Sequence, residues 1–191
     1  MIEIINFSNG IRVNGVTPEL SQYAEAGING TSTINQTQLT EIEQELENSS
    51  QQTLAEVQAI FNRYNSWQAL IDYANGGGST PTLSTYLNAG FANLAGNEIN
   101  QINIWLREQT LDTEQKITSA VKVVTYFSGN GTSTPSPSDY QNIGINQDVS
   151  AVLNEVNDLD ITTSNTIEEL QRHINDIDFD NDSVTFANDS D

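Results

Sequence analysis

Apolar positions along the chain fall into runs stepped by three and four residues. Leu39, Ile42 and Leu46 form one run, Ile99, Ile102 and Leu106 a second, and Val149, Val152 and Val156 a third. Steps of this kind line one face of an α-helix. A second class of stripe follows each: Val57, Ile60 and Tyr64; Ile117, Val121 and Val124; Leu170, Ile174 and Ile177. Capping boxes open two of these later stripes, Thr53-x-x-Glu56 and Thr166-x-x-Glu169, and Asp112 and Thr113 stand at the start of the middle one. A Ser or Thr that caps a helix while a Glu three residues on reaches back is a strong signal of a helix start. The first of the later stripes continues through Trp67, Leu70, Ile71 and Tyr73, which predicts the longest helix of the chain.

A short phrase precedes each pair of stripes. It runs Thr17-Pro18 to Tyr23 with Gly27-Ile28, Thr80-Pro81 to Tyr86 with Gly90-Phe91, and Thr134-Pro135 to Tyr140 with Gly144-Ile145. The phrase predicts a short helix, capped by the threonine and opened by the proline. A glycine in the left-handed conformation closes it, and the apolar residue after the glycine folds back on the helix. Ser136-Pro137 offers a competing start in the third copy. Gly76-Gly77-Gly78-Ser79 and Gly129-Asn130-Gly131-Thr132-Ser133 separate the copies. Repetition of an ordered phrase marks an array of small units, each too small to bury a full core alone. The fold expected is therefore all-α: a tandem array of three small three-helix bundle repeats, each with a short first helix, joined at Gly-rich joints. The layout is 16–79, 80–133 and 134–177 for the three repeats. Residues 1–15 are read as the tail of a preceding repeat, with Ile2–Phe7 helical, and a hairpin around Asn9-Gly10 is the alternative. Residues 178–191 are read as an acidic linker.

Charge narrows the partners. The 191 residues carry only six Lys plus Arg and a net charge of −20. So acidic a surface repels phosphate backbones, which argues against nucleic acid, and anionic membrane surfaces are disfavoured for the same reason. No apolar run is long enough to cross a bilayer. Met1-Ile2-Glu3-Ile4-Ile5 lacks the basic and long apolar stretches of a signal peptide. There is no cysteine, hence no disulfide. Few lysines with abundant Asn, Thr and Ser suit an extracellular bacterial protein.

The run Gln52-Thr53-Leu54-Ala55-Glu56-Val57-Gln58-Ala59-Ile60, then Tyr64-Asn65 and Ala74-Asn75-Gly76, resembles helical repeats of very large bacterial surface and secreted proteins of the adhesin type. So does Tyr-x-x-Ala-Gly-Phe/Ile, present from Tyr23 to Ile28 and from Tyr86 to Phe91. The third copy departs from it, with Asn142-Ile143 before Gly144. The resemblance implies a cell-surface or secreted setting, a stalk or adhesion role, neighbouring domains in a larger chain, and a host or surface protein as partner. It brings no catalytic residues.

Candidate chemistry is sparse. Asp176, Asp178, Asp180 and Asp182 alternate near the C-terminus, and such carboxylates are candidate calcium ligands. An EF-hand loop needs Gly at its sixth position and Glu at its twelfth. Counted from Asp176 these are Asn181 and Ala187, and from Asp178 they are Ser183 and Asp189. A solvated acidic linker is the competing reading. His173, the single histidine, has no cysteine to complete a zinc site and reads as a rim residue of its helix. Trp67, Trp105, Tyr64 and Tyr73 read as core or interface residues, with a sugar-binding face as the alternative. No nucleophile elbow or phosphate-binding loop is present. The function expected is a non-catalytic spacer segment, and the alternative is a protein-binding module that uses an exposed helical face. No enzyme and no cofactor beyond calcium is expected.

Overall fold

A computed structural model describes residues 2–8, 17–49, 53–159 and 166–177. Among the described residues the regular structure is entirely helical. The elements are α1 (Ile2–Ser8), α2 (Leu20–Glu25), α3 (Gln36–Ser49), α4 (Leu54–Ala74) and α5 (Leu83–Ala89). They continue as α6 (Gly96–Glu108), α7 (Glu114–Phe127), α8 (Pro137–Asn142), α9 (Leu153–Asn157) and α10 (Ile167–Asn175), and a 3-10 turn covers Thr31–Thr33. The chain divides into two compact units, Met1–Ile99 and Asn100–Asp191, with α6 spanning the division.

In the first unit the stripe of α3, Leu39, Ile42 and Leu46, is buried, and so are Val57, Ile60 and Phe61 on the first half of α4. Tyr23 and Ile28 from the α2 phrase join them, and so do Ile4 and Phe7 of α1. Full burial of a side chain of this size contributes about 1.5–3 kcal/mol, so this cluster far outweighs the capping terms. The N-terminal segment is helical, as the first of its two readings expects. The hairpin reading centres on Asn9-Gly10, outside the described residues. The second half of α4 carries Leu70 and Ala74, both buried, and packs against α5. Trp67 meets Phe91 edge-on, with ring centroids 5.2 Å apart, and Phe91 in turn lies 6.1 Å from Tyr86.

In the second unit Ile102, Trp105 and Leu106 of α6 are fully buried. Ile117, Ala120, Val121, Val123 and Val124 line the buried side of α7, and Ile167, Leu170 and Ile174 that of α10. Helix α7 packs against α8.

The helix ends follow the sequence closely at one terminus and depart from it at the other. Gly27, Gly90 and Gly144 have φ of 94°, 104° and 95°, the left-handed region that a side chain disfavours. The residue after each glycine donates its N–H to the tyrosine carbonyl, at 3.0 Å in all three cases: Ile28 to Tyr23, Phe91 to Tyr86, Ile145 to Tyr140. The glycine N–H bonds the residue three before it, which completes a Schellman motif. The starts are displaced. Thr17, Thr80 and Thr134 do not cap the helices; Glu19, Thr82 and Ser136 do. Each of these three has a partner three residues on (Gln22, Thr85, Asp139) whose side chain accepts from the cap's N–H, at 2.8, 3.2 and 2.8 Å. That reciprocal bond is missing at the threonines. Pro18, Pro81 and Pro135 are not at the first helical position but buried in the approach to it, whereas Pro137 opens α8, the competing start that Ser136-Pro137 offers.

A second departure lies in the third copy. Val149, Val152 and Val156 are buried as the stripe requires. Only Leu153–Asn157 is helical, however, and Val152 bonds back to Val149 in a turn. The Asp148 carboxylate accepts from the Ser150 N–H at 3.0 Å, an Asx turn that competes with the first helical turn. Three valines add little intrinsic helix preference to oppose it.

Candidate functional site

Two clefts of the first unit bring polar side chains together in a concave setting. One cleft of about 460 Å³ lies along residues 17–21 and the face of α3, lined by Thr17, Pro18, Glu19, Leu20, Ser21, Gln36, Leu39 and Glu43. On α2 the Tyr23 hydroxyl is buried and has no hydrogen-bond partner among the described residues. Burial, and then the charges of Glu43 and Glu47, push this phenol well above its ordinary range.

The second place is a groove of about 280 Å³ between α4 and α5. Helix α4 supplies Asn62, Asn65, Ser66 and Ala69, while Thr82, Ser84, Thr85 and Asn88 come from the α5 side. No charged residue lines it. Ser66 is only 7% exposed, and its hydroxyl finds no partner among the described residues. Asn65 is held in place: its amide donates to the Gly30 carbonyl at 3.1 Å and its oxygen accepts from Thr33.

The matching junction in the second unit is filled. Counted back from the left-handed glycines Gly76 and Gly129, Ser66 corresponds to Ser119 and Ala69 to Lys122. Counted from Tyr86 and Tyr140, Thr85 corresponds to Asp139 and Asn88 to Asn142. The Lys122 ammonium pairs with the Asp139 carboxylate at 2.7 Å, and the other Asp139 oxygen accepts from the Ser119 hydroxyl at 3.0 Å. Asn142 donates to the same hydroxyl at 3.0 Å. Burial alone raises the Asp139 carboxyl, but bonds from Lys122, from the Ser136 backbone and hydroxyl and from Ser119 outweigh it and hold the group below the usual range.

The tyrosine sockets differ in the same manner. The Tyr140 hydroxyl donates to Asn157 Oδ1 at 2.6 Å, and Asn157 Nδ2 donates to the Pro135 carbonyl at 3.4 Å. Burial first, then Tyr126 and Asp139, raise the Tyr140 phenol. A clamp recurs after two of the three glycines. The Asn29 N–H donates to Gln58 Oε1 at 2.7 Å, and the Asn146 N–H to Gln171 Oε1 at 3.0 Å. Both glutamines also donate to an asparagine one turn on, Asn62 and Asn175, each at 2.9 Å. Gln58 and Gln171 stand five residues after their capping threonines, where the middle copy has Thr118.

The residues singled out from the sequence are scattered. Asp176 ends α10 as an exposed cap, and Asp178, Asp180 and Asp182 lie outside the described residues. Among the described residues no group of three or more His, Cys, Asp or Glu is placed to hold a metal ion. His173 is half-buried on α10. Trp105 is wholly buried and offers no ring face to a ligand. Trp67, Tyr64 and Tyr73 are half-buried on α4. Arg63 covers Tyr64, 5.5 Å from the ring centroid, and pairs with Glu45. The α4/α5 groove escaped sequence reading because its lining residues are common throughout this chain. The signal available was a mismatch: Ala69 and Thr85 at positions where the other copy has Lys122 and Asp139.

No protein-family model, curated protein or solved structure matches the chain. Among the described residues no helix is long and apolar enough to cross a membrane.

Proposed function

We propose that the chain is a non-catalytic structural segment of tandem three-helix repeats, a spacer or stalk in a bacterial cell-surface or secreted adhesin-like protein. The observation that supports it most is the threefold return of one local geometry: a buried tyrosine, a left-handed glycine and a 3.0 Å bond closing the helix behind it. The glycine-rich connections support a spacer as well, because they fold back on the helices they leave. Gly77 donates to the Asp72 carbonyl at 2.9 Å and Asn130 to the Thr125 carbonyl at 3.0 Å. A side chain at Gly131 would come within 2.7 Å of the Tyr126 backbone. Joints tied back to the preceding helix in this way suit a spacer. The neighbouring domains of a larger chain are the partners this role requires.

A spacer must be extended in solution. Small-angle scattering should give a radius of gyration clearly above the value of about 16 Å for a compact globule of this length. A measured value at the globular figure overturns the proposal.

One observation favours a second reading, a module that captures a host or partner protein. Leu83 and Leu87 sit one turn apart on α5 and are 43% and 50% exposed. Cells displaying the segment separate the two readings: Leu83→Ser with Leu87→Ser abolishes attachment to a target surface only if this face binds.

A further inference from the structure

We propose that the groove between α4 and α5 is a binding site for a small neutral saccharide. A spacer needs no such site, so the inference goes beyond the function proposed above and stands on the groove alone. The two units present a natural experiment. In the second, the concavity between α7 and α8 is plugged by the chain's own Lys122–Asp139 pair, which engages the Ser119 hydroxyl. In the first, both halves of the plug are gone, replaced by Ala69 and Thr85, yet the buried serine and the asparagine that faced it are kept as Ser66 and Asn88. A cleft of about 280 Å³ opens, just under the usual range of ligand pockets and so suited only to a small molecule.

The lining states what fits. Hydroxyls both donate and accept, and carboxamides offer two donors and an acceptor. No side-chain hydrogen bond within the described residues engages Ser66, Ser84 or Asn88, and Ser66, a residue only 7% exposed, is part of the groove lining. Nothing in the lining would balance a charge, and a lone buried charge is costly, so the ligand is neutral. A molecule with several hydroxyls on a compact ring meets these demands. An alkyl group would offer no hydrogen bond to the Ser66, Ser84 or Asn88 side chains while displacing the water that can. The site runs along α4 from Asn62 to Ala69 and takes in the cap and first turn of α5 as well as Asn88.

The test is a titration of the full chain, labelled for amide NMR, with glucose, galactose and N-acetylglucosamine, each alone. We expect at least one sugar to shift the amides of Ser66, Thr85 and Asn88 while those of Ser119 and Asn142 stay still. The double variant Ala69→Lys with Thr85→Asp transplants the plug and should weaken binding by about tenfold or more, a readily measured difference. Should that variant misfold by circular dichroism, Asn88→Ala carries the test, since Asn88 is exposed and its loss leaves the core intact. The proposal is overturned if none of the three sugars perturbs the groove, or if the plugged or Asn88→Ala protein binds as well as the parent. Binding of a lysine-containing peptide there in place of a sugar overturns it equally.

Discussion

The α4/α5 and α7/α8 junctions share a backbone plan and differ in chemistry. Each joins a long helix, ended by a left-handed glycine, to a short helix that carries a fully buried tyrosine. In the α7/α8 junction the polar groups at the contact bond to one another: Lys122 with Asp139, Ser119 with Asp139 and Asn142, Tyr140 with Asn157. The α4/α5 junction instead leans on aromatic packing, Trp67 on Phe91, and leaves a hydroxyl-lined groove beside it. One plan therefore tolerates either a polar network or an aromatic contact plus a cavity. What both keep is the apolar stripe and the helix-ending glycine, so those elements define the junction and the polar details are free to vary.

The comparison can be broken at its shared part first. Leu70 and Val123 hold the same place relative to Gly76 and Gly129, and both are fully buried. Leu70→Ala should cost about 2–5 kcal/mol in urea unfolding, with Val123→Ala costing less because fewer atoms leave. If neither changes the midpoint, the stripe is not what holds these helices.

The tyrosine sockets offer a sharper contrast. Tyr140→Phe strands Asn157 Oδ1, buried and without its donor, at a cost of about 1–3 kcal/mol. Tyr23→Phe removes a hydroxyl without a partner among the described residues and should be neutral or stabilising. Equal effects of the two substitutions by thermal melting would show that the sockets are energetically alike.

Lys122→Ala tests the network. The pair is partly buried, with Lys122 28% and Asp139 13% exposed at their side chains. The loss should be about 1–2 kcal/mol, between exposed and fully buried pairs. The pH dependence follows from the lowered Asp139 carboxyl: its contribution is complete above the ordinary carboxylate value of about 3.9 and disappears as pH falls through the lower folded value. Acid should therefore loosen α7 against α8 in the parent, seen by hydrogen exchange, and Asp139→Asn should remove that part of the acid sensitivity.

The smallest effect belongs to the glutamine clamps. Gln58→Ala and Gln171→Ala each release one backbone N–H that can turn to water, so each should cost about 0.5–1.5 kcal/mol. Thr118→Gln in the middle copy asks whether the clamp can be installed after Gly90. A gain in protection at Ala92 would show that it can.

Much of this architecture is legible in the sequence, because its causes are local. Stripes stepped by three and four, the capping threonines Thr53, Thr113 and Thr166, and the glycines at 27, 90 and 144 act through neighbours in the chain, and each does what its spacing predicts. Misreadings arose where two local signals compete. Thr-Pro looks like a cap followed by a first helical residue, yet the reciprocal bond of the true cap lies two residues later and wins. Val149 and Val152 keep the spacing of a helix, but the Asp148–Ser150 turn takes the first turn from it.

By itself, then, the sequence determined that the chain is helical, where most helices end and which side chains face inward. Backbone sterics and side-chain periodicity are properties of a few consecutive residues and need no distant partner. Only the tertiary structure decided that Ser66 lines a groove while Ser119 bonds to an ion-paired carboxylate. That outcome depends on which side chain reaches across from the next helix, and whether Lys122 meets Asp139 or Ala69 leaves space before Thr85 is settled by packing between segments far apart in the chain.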